Sequence, residues 1–398
     1  YHLPTGRHRV IRCLTLLHEN GEIMAKKTAS KAGKMSIADM RAMINKQAGI
    51  NVAHSLTEKN PTQVPYWIPT GSRWLDSIIS RGEIAGIPGA KISELAGLAS
   101  TGKSYMAAQV AANAQKMGMD VFYFDSESAI DPEFLKNAGC NLDELMYIQA
   151  MSVEFVLETI ETLLSSNNNR MLFIWDSLAL TPAISDIEGD FNPQSSMAVK
   201  ARILAKGLSK LIIPIANSES TFLILNQLKA NITRSPSEAM TTPYMTPGGK
   251  ATIYSYSLRI WLTGRKAKAS FVTDDKGFRV GSEVKVKLEK SRFGTQGRQC
   301  NFKILWGNKI GIQDDESLFD AISSSESLKR LGAWYELHDA DGTALGSKFQ
   351  STKWTDRMKD DVFRQRVYEI MDEEIIFKFD KRLGNASDFY EDKEEVGN

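Results

Sequence analysis

A glycine-rich loop between a short apolar strand and a helix is the feature that most restricts how this chain can fold. Its eight residues, Gly97 to Ser104, match the pattern GxxxxGK[ST]. Residues 91–96 have the composition of a short buried strand, and residues 105–116 have helical periodicity. Such a strand, turn and helix N-terminus direct several backbone N–H groups toward one point, an arrangement suited to a polyphosphate. A chance match in a Gly/Ser turn is the alternative, and the flanking elements argue against it.

The residues of this loop, together with the first helical residue after it, are the candidate nucleotide ligands. We expect Lys103 to reach the β- and γ-phosphates and the Ser104 hydroxyl to ligate Mg²⁺. The full set is Gly97, Leu98, Ala99, Ser100, Thr101, Gly102, Lys103, Ser104 and Tyr105.

Composition limits the class of protein. The chain has 398 residues, 42% of them hydrophobic, with a formal net charge of +1, which suffices for one large core and one or two small appendages. It contains no apolar run long enough to span a membrane. Its three cysteines are odd in number and far apart, which disfavours a disulfide scaffold or a zinc site and suits a reducing cytoplasm.

Four segments are expected along the chain. Residues 1–23 read as a leader outside the mature protein or as a disordered extension. Residues 24–66 form a basic arm with an amphipathic helix capped by Ser36, which either docks on a neighbouring subunit or is a solvated tail. Residues 67–311 form the main domain, and residues 312–398 form a small C-terminal domain of helical pattern with an acidic tail.

Alternating strand and helix patterns in the main domain predict an α/β fold with a twisted, mostly parallel sheet flanked by helices on both faces. The predicted buried strands are residues 120–125, 171–176 and 221–226, and the predicted helices are residues 153–164 and 198–212. Further strands of antiparallel or mixed type are expected at residues 251–262, 283–288 and 299–306.

Polar residues follow three of these strands at the edge where ligands of open α/β sheets bind. Asp176 fits a carboxylate that orients Mg²⁺, although such a residue can also cap the next helix. Glu127 is the candidate for activating a water molecule, with a surface loop glutamate as the alternative. Gln227 is suited to sense a γ-phosphate, with a buried amide bonded to backbone as the alternative.

Taken in order, these and other motifs resemble the RecA family of DNA recombinases, most closely its phage-encoded, UvsX-type members. The matching stretches are Thr70-Gly-Ser72, Leu75-Asp76, the loop Gly97 to Ser104, Asp125 to Pro132, Trp175 to Pro182, Asn226-Gln227, Pro247-Gly-Gly249, Val280 to Glu283, Lys290-Ser-Arg292 and Leu331 to Tyr335.

The resemblance implies a RecA-like core with ATP and Mg²⁺ bound between adjacent subunits of a helical filament. Asp131 and Phe134 would lie near the adenine, and Trp306 would also approach the nucleotide. Lys290 and Arg292 would act in the neighbouring subunit's site. Arg292 departs from the lysine often found in the family, and guanidinium and ammonium groups differ in geometry.

Two loops would line the DNA, one near residues 188–193 and the other at residues 229–250. In the second loop, basic residues would meet phosphates and apolar residues would contact bases, as sequence-tolerant binding of a single strand requires. Its candidates are Lys229, Ile232, Arg234, Met240, Tyr244, Met245, Gly248, Gly249 and Lys250. An ordinary flexible loop is the alternative.

The function so implied is ATP-dependent pairing and strand exchange on single-stranded and double-stranded DNA, in recombination and repair. A hexameric helicase or translocase on the same core is the main alternative, and a non-catalytic ATP-gated filament or clamp is another. Single-strand-binding and mediator proteins are possible partners. The expected location is the cytoplasm of a bacterium or a phage-infected cell.

Overall fold

A computed structural model describes residues 35–49, 51–166, 169–188, 196–231, 243–264, 270–306 and 311–376. The chain divides into two compact units at residues 63 and 64. Within the first unit, helix α1 (Ile37–Ala48) begins after Ser36, whose side chain accepts a hydrogen bond from the Asp39 N–H, and it ends at Gly49. The predicted N-cap is therefore confirmed.

The second unit is built on one large sheet. Its strands are β3 (Ile92–Gly97), β4 (Asp120–Asp125), β5 (Leu145–Gln149), β6 (Met171–Asp176), β7 (Thr221–Gln227), β10 (Leu258–Thr263), β11 (Phe271–Thr273), β12 (Arg279–Ser291), β13 (Gln299–Leu305) and β14 (Gly311–Gln313). The order is β14-β13-β12-β10-β3-β7-β6-β4-β5, with β11 beside β12. From β10 to β5 the neighbours are parallel, and from β10 to β14 they are antiparallel.

Among the described residues, three short strand pairs lie outside this sheet: β1 (Trp67–Ile68) with β2 (Ile87–Pro88), β8 (Lys229–Ala230) with β9 (Tyr244–Met245), and β15 (Leu328–Leu331) with β16 (Trp334–Leu337). The α-helices of the unit are α2 (Arg73–Ile79), α3 (Lys103–Lys116), α4 (Pro132–Asn137), α5 (Val153–Ser166), α6 (Ile184–Glu188), α7 (Ser196–Asn217), α8 (Lys250–Ser255), α9 (Asp315–Ile322), α10 (Trp354–Arg357) and α11 (Asp361–Met371).

The central strands are apolar on both faces because each face is covered by helices. Along β6, Leu172 and Ile174 join the core that packs on α3, whereas Phe173 and Trp175 join the core that packs on α5 and α7. Trp175 is fully buried and stacks on Phe222 of the next strand, with ring centroids 6.3 Å apart. The predicted parallel sheet with helices on both faces is confirmed.

One predicted strand is wrong in its first half. Residues 251–262 were expected to be extended, but α8 occupies Lys250–Ser255 and only β10, from Leu258, is a strand. A short apolar run has too few residues for its period to separate a buried strand from a buried helical turn. Gly249, with φ of +83°, precedes the helix and turns the chain.

The C-terminal part is also less helical than its pattern predicts. β14 joins the large sheet, and β15 and β16 form a hairpin whose two-residue turn contains Gly332, with φ of +67°. A glycine in this conformation suits a two-residue hairpin turn. The hairpin packs with α9 and α11 around a separate aromatic core that includes Phe349, Trp354 and Phe363.

Candidate functional site

The glycine-rich loop leaves the carboxyl end of β3 and leads directly into α3. Ser100 and Gly102 both have positive φ, +59° and +83°, and Gly102 is the N-cap of the helix. A Cβ atom at Gly102 would lie 2.3 Å from the Ile304 Cδ1 atom. The loop therefore depends on glycine at this position both for conformation and for space.

Lys103 and Ser104 open the helix with their side chains turned toward the loop and the sheet edge. The Lys103 Nζ atom donates to the carbonyl oxygens of Gly97 and Leu98, at 3.3 and 3.0 Å. The Ser104 hydroxyl donates to Asp176 Oδ2 at 2.8 Å, and the Tyr123 hydroxyl donates to the same oxygen at 2.9 Å. The two predicted Mg²⁺ ligands, Ser104 and Asp176, thus meet at the helix N-terminus.

Glu127 lies in a loop after β4 that a single buried carboxylate organises. Asp125 Oδ1 accepts the backbone N–H groups of residues 127 and 128, and Oδ2 accepts those of residues 129 and 130, at 2.8 to 3.2 Å. The Tyr147 hydroxyl also donates to Asp125 Oδ2, at 3.3 Å. Asp125 therefore sets the path of the chain that presents Glu127 to the site.

The site places the Lys103 ammonium near the carboxylates of Asp176 and Glu127. Burial raises the pKa of Asp176 despite its hydrogen bonds from Ser104 and Tyr123. Partial burial, then Asp176 and Asp125, raise the pKa of Glu127. Burial lowers the pKa of Lys103, while Asp176 and Glu127 oppose that change. The charged forms of these carboxylates would be favoured by an added cation.

A cavity of about 680 Å³ opens beside the loop. The structure brings most of the predicted nucleotide ligands to its walls: Ser100, Thr101, Gly102, Lys103, Ser104, Tyr105, Asp131, Phe134 and Trp306. Asp131 also caps α4 by accepting the Glu133 N–H. The Phe134 ring meets the Tyr105 ring edge to face, with centroids 5.7 Å apart.

Five further wall residues were missed by sequence reasoning: Glu133, Asn137, Arg279, Ile304 and Leu305. Glu133 and Asn137 lie on α4, one position before and three after the predicted Phe134. A helical reading of that segment could have found them, since residues three or four apart share a helix face. Arg279 begins β12 and reaches the cavity only through sheet pairing.

Lys290 and Arg292 are not among the described residues that line this cavity. The Lys290 ammonium donates to the Ile253 carbonyl at 2.6 Å, and Arg292 donates to the Tyr254 carbonyl at 2.7 Å. Both therefore hold the last turn of α8. Burial, then Arg292 and Arg259, lower the pKa of Lys290 to about 8.

The pairing register explains their distance from the phosphate loop. Arg259 pairs with both Lys290 and Glu94, and the Arg292 N–H bonds the Ser257 carbonyl. Ser257 is in turn bonded to Ile92, at the start of β3. The two cations thus lie toward the amino end of β3, whereas the phosphate loop leaves its carboxyl end.

The second predicted DNA loop is anchored at both ends by buried polar groups. Asn226 donates to Glu94 at 2.9 Å and to the Pro247 carbonyl at 3.0 Å. Glu94 also pairs with Arg259 at 2.6 Å, and Arg259 donates to Thr246. These bonds connect the phosphate-loop strand to both ends of the segment.

Between these anchors, Lys229 and Met245 are paired in the short β8–β9 ladder, as are the neighbouring residues 230 and 244. Gln227 ends β7 immediately before the ladder, and its N–H bonds the Asn226 side chain. Gly248, with φ of +110°, lies just before Gly249 and Lys250 at the start of α8. The candidates Ile232, Arg234 and Met240 lie outside the described residues, as do residues 189–193 of the first loop.

Comparison with known proteins supports the same assignment. The RecA N-terminal domain family matches residues 35–311, more than half of the chain. This chain belongs to the RecA family. It is similar to Protein RecA of Fusobacterium nucleatum, 33% identical over 316 residues that cover 79% of each chain. It is also similar to Protein RecA of Saccharopolyspora erythraea, 30% identical over 81% of this chain and 87% of the relative.

A RecA-family chain of this kind is a recombination and repair protein and a DNA-dependent ATPase. The similarity to Protein RecA of Chlamydia caviae extends over 83% of this chain and 90% of the relative, at 28% identity. The alternative of a hexameric helicase is not favoured by these relatives. In the part of the chain that the structure describes, no helix is both long and apolar enough to cross a bilayer.

Proposed function

We propose that this protein binds ATP and Mg²⁺ at the phosphate loop, forms a helical filament on single-stranded DNA, and exchanges strands with a homologous duplex. The observation that carries the proposal is the convergence of Lys103, Ser104, Asp176 and Glu127 at one end of the sheet, beside the cavity.

The residues present fit both groups. The Ser104 hydroxyl and the buried Asp176 carboxylate are 2.8 Å apart, and hydroxyl and carboxylate oxygens are the ligands that Mg²⁺ prefers. The loop residues Ser100 to Ser104 line the cavity, and the Lys103 ammonium lies at the loop, bonded to the Gly97 and Leu98 carbonyls. Ser104 and Asp176 would hold the metal, which when bound supplies charge neutralisation at the β- and γ-phosphates.

Other residues of the chain would bind the triphosphate, activate the attacking water and surround the base. The Lys103 ammonium would leave the Gly97 and Leu98 carbonyls and bind phosphate oxygens. Its bonds to the charged phosphate are stronger than its bonds to neutral carbonyl groups. Glu127, whose pKa is raised, would orient and deprotonate the attacking water. Tyr105, Asp131, Phe134 and Trp306 would surround the base and sugar.

Lys290 and Arg292 would complete the nucleotide site of the adjacent protomer. What supports this role is their position toward the amino end of β3, away from the phosphate loop of their own chain, combined with the exposure of Arg292. The exposed apolar side chains of α1, Ile37, Met40, Met43 and Ile44, support a further contact between protomers.

The segment from residue 229 to residue 250 would contact single-stranded DNA. Its support is the placement of Lys229, Tyr244 and Met245 on the short ladder, beside Gln227 at the end of β7. Because Asn226, Glu94 and Arg259 connect both ends of the segment to β3, a contact between Gln227 and a γ-phosphate would reach the DNA-binding segment through a short path.

We further propose that the protein belongs to the phage-encoded, UvsX-type branch, acts in a bacterial or phage-infected cytoplasm, and works with single-strand-binding and mediator proteins. The ordered motifs from Thr70 to Tyr335, which resemble that branch most closely, support the branch assignment. The free, buried Cys140 and Cys300 suit a reducing compartment. Purified single-strand-binding protein that alters filament assembly would support the partner assignment.

Mixing two inactive variants tests the shared site. Glu127→Gln removes the base, and Arg292→Ala removes a cation proposed to act in trans. Each variant alone is expected to bind ATP and lose most DNA-stimulated hydrolysis, whereas a mixture should recover activity at interfaces that pair an intact base with an intact Arg292. No recovery at any ratio would contradict the shared site. Lys103→Ala should abolish nucleotide-dependent assembly on single-stranded DNA.

A further inference from the structure

Arg279 forms part of the nucleotide cavity although none of the sequence motifs contains it. It begins β12, next to β11 on one side and β13 on the other. Phe271 begins β11, and Trp306 directly follows β13, where its N–H bonds the Val280 carbonyl. The sheet therefore brings Arg279 and Trp306 to one corner of the cavity and places Phe271 beside the guanidinium.

At this corner the Arg279 guanidinium lies between two aromatic rings. Its Cζ atom is 3.9 Å from the centroid of the Phe271 ring and 5.1 Å from the centroid of the Trp306 ring. Its orientation is fixed by two donated bonds, from Nε to the Gly281 carbonyl at 3.3 Å and from Nη2 to the Ser282 hydroxyl. A planar guanidinium held this way stacks on an indole as a lysine cannot.

The orientation of the Trp306 ring depends on contacts such as the one with Arg279. Trp306 is 47% exposed, so burial in the core does not determine its orientation. It lines the same cavity as Phe134. A ring held by a cation–π contact at the mouth of the cavity is preorganised to cover a base, which reduces the entropy lost on binding.

We propose that Arg279 is a positioning residue for the nucleotide base, acting by holding Trp306 against the purine ring rather than by contacting the phosphates. This inference rests on the proposed binding of ATP in this cavity. It assigns base affinity to the Phe271–Arg279–Trp306 stack and hydrolysis to the Lys103–Glu127 side of the site.

The test compares ATP, ADP and inorganic tripolyphosphate, which has no base, with Arg279→Ala, Arg279→Gln and Arg279→Lys. An exposed cation–π contact corresponds to an affinity change of about 2- to 5-fold. We expect Arg279→Ala and Arg279→Gln to raise the KM for ATP and the Kd for ADP by about that factor with kcat unchanged. Arg279→Lys should lie between them and the wild type.

Inorganic tripolyphosphate, measured as a competitor of ATP, separates the two ways in which Arg279 could act. Its inhibition constant should be the same for wild type and Arg279→Ala if the residue works through the base. A parallel loss of tripolyphosphate and ATP affinity would show direct phosphate contact and overturn the proposal. Absence of ATP binding by the wild-type protein would instead reject the proposed function itself.

A double-mutant cycle and a charge control complete the experiment. In a Trp306→Ala background, Arg279→Ala should have no further effect on the KM for ATP, and an undiminished effect would overturn the proposal. Lys276→Ala removes the same charge from the β11–β12 connection, where the Lys276 N–H bonds Asp274. Its KM should equal that of the wild type, and thermal melts should show all variants folded.

Discussion

Replacing Asp125 by asparagine should disable hydrolysis while sparing nucleotide binding. The two Asp125 oxygens accept four backbone N–H groups of the loop that carries Glu127. An asparagine offers one oxygen and one NH₂ group, so in either orientation two of those N–H groups would face another donor. The side chain keeps its size, which limits the change to hydrogen bonding.

The size of the effect follows from these bonds. A hydrogen bond to a charged group contributes about 1.5 to 3 kcal/mol, so two lost bonds weaken the loop by about 3 to 6 kcal/mol before water compensates. Glu127 and Ser128 are exposed, and water will satisfy part of the loss. A displacement of about 1 Å in a catalytic group costs about 100-fold in rate. We therefore expect kcat to fall by about that factor, with the KM for ATP nearly unchanged.

The assay is steady-state ATP hydrolysis with saturating single-stranded DNA, accompanied by thermal melting. Asp120→Asn, at the other end of the same strand, is the matched control and should keep the wild-type kcat. In a Glu127→Gln background, Asp125→Asn should add little, because the residue that it positions is already absent. A folded Asp125→Asn protein with wild-type kcat would refute the role assigned to Asp125.

Three other outcomes follow from the structure. Gly102→Ala places a Cβ atom 2.3 Å from Ile304 at a φ of +83°, so we expect loss of fluorescent nucleotide binding, and retained binding would contradict the loop geometry. Burial raises the pKa of Asp76 to about 8, so the folded state holds a proton that the unfolded chain releases. The free energy of unfolding should therefore fall as the pH rises toward 8. In urea melts, the Asp76→Asn variant should no longer show this dependence of the unfolding free energy on pH. The pKa of Lys290 is lowered to about 8, so this side chain loses its charge as the pH rises through 8. We expect kcat/KM for ATP to fall over the same pH range. Lys290→Arg should move the decline to higher pH, because a guanidinium stays protonated. An unchanged profile would argue against the trans role.

Much of the fold could be predicted because its strands are short, apolar and separated by helical periods. β4, β6 and β7 end within one residue of their predicted bounds, since each stops where a polar side chain meets the sheet edge. Residues 251–262 were harder, because six residues of α8 are fewer than two helical turns and carry too little periodicity.

The candidate site also has residues that could be predicted from the sequence and residues that could not. The phosphate loop is one continuous motif, and Asp176 and Glu127 each end or closely follow a predicted strand, so these groups could be predicted without knowledge of the strand pairing. Asp125 was overlooked as an organiser, although an aspartate that ends a strand and precedes Ser-Glu-Ser is a signal for side-chain bonds to the following N–H groups. Arg279 could not be predicted, because only the pairing of β11, β12 and β13 brings it to the cavity.

The pairing of β12 with β10, and of β10 with β3, places Arg292 and the phosphate loop at opposite ends of β3. Gly97 and Ile92 lie five residues apart, roughly 16 Å along a strand, with the phosphate cradle at one level and Arg292 at the other. If Arg292 enters the neighbouring site as proposed, the phosphate loop of one protomer meets a different surface of the next, which is a heterologous, head-to-tail contact that can repeat along a filament. Protomers joined through such a contact would all point the same way. Each filament would then have two chemically different ends: one with a phosphate loop that lacks a neighbour's Arg292, and one with an Arg292 that has no neighbouring site to enter.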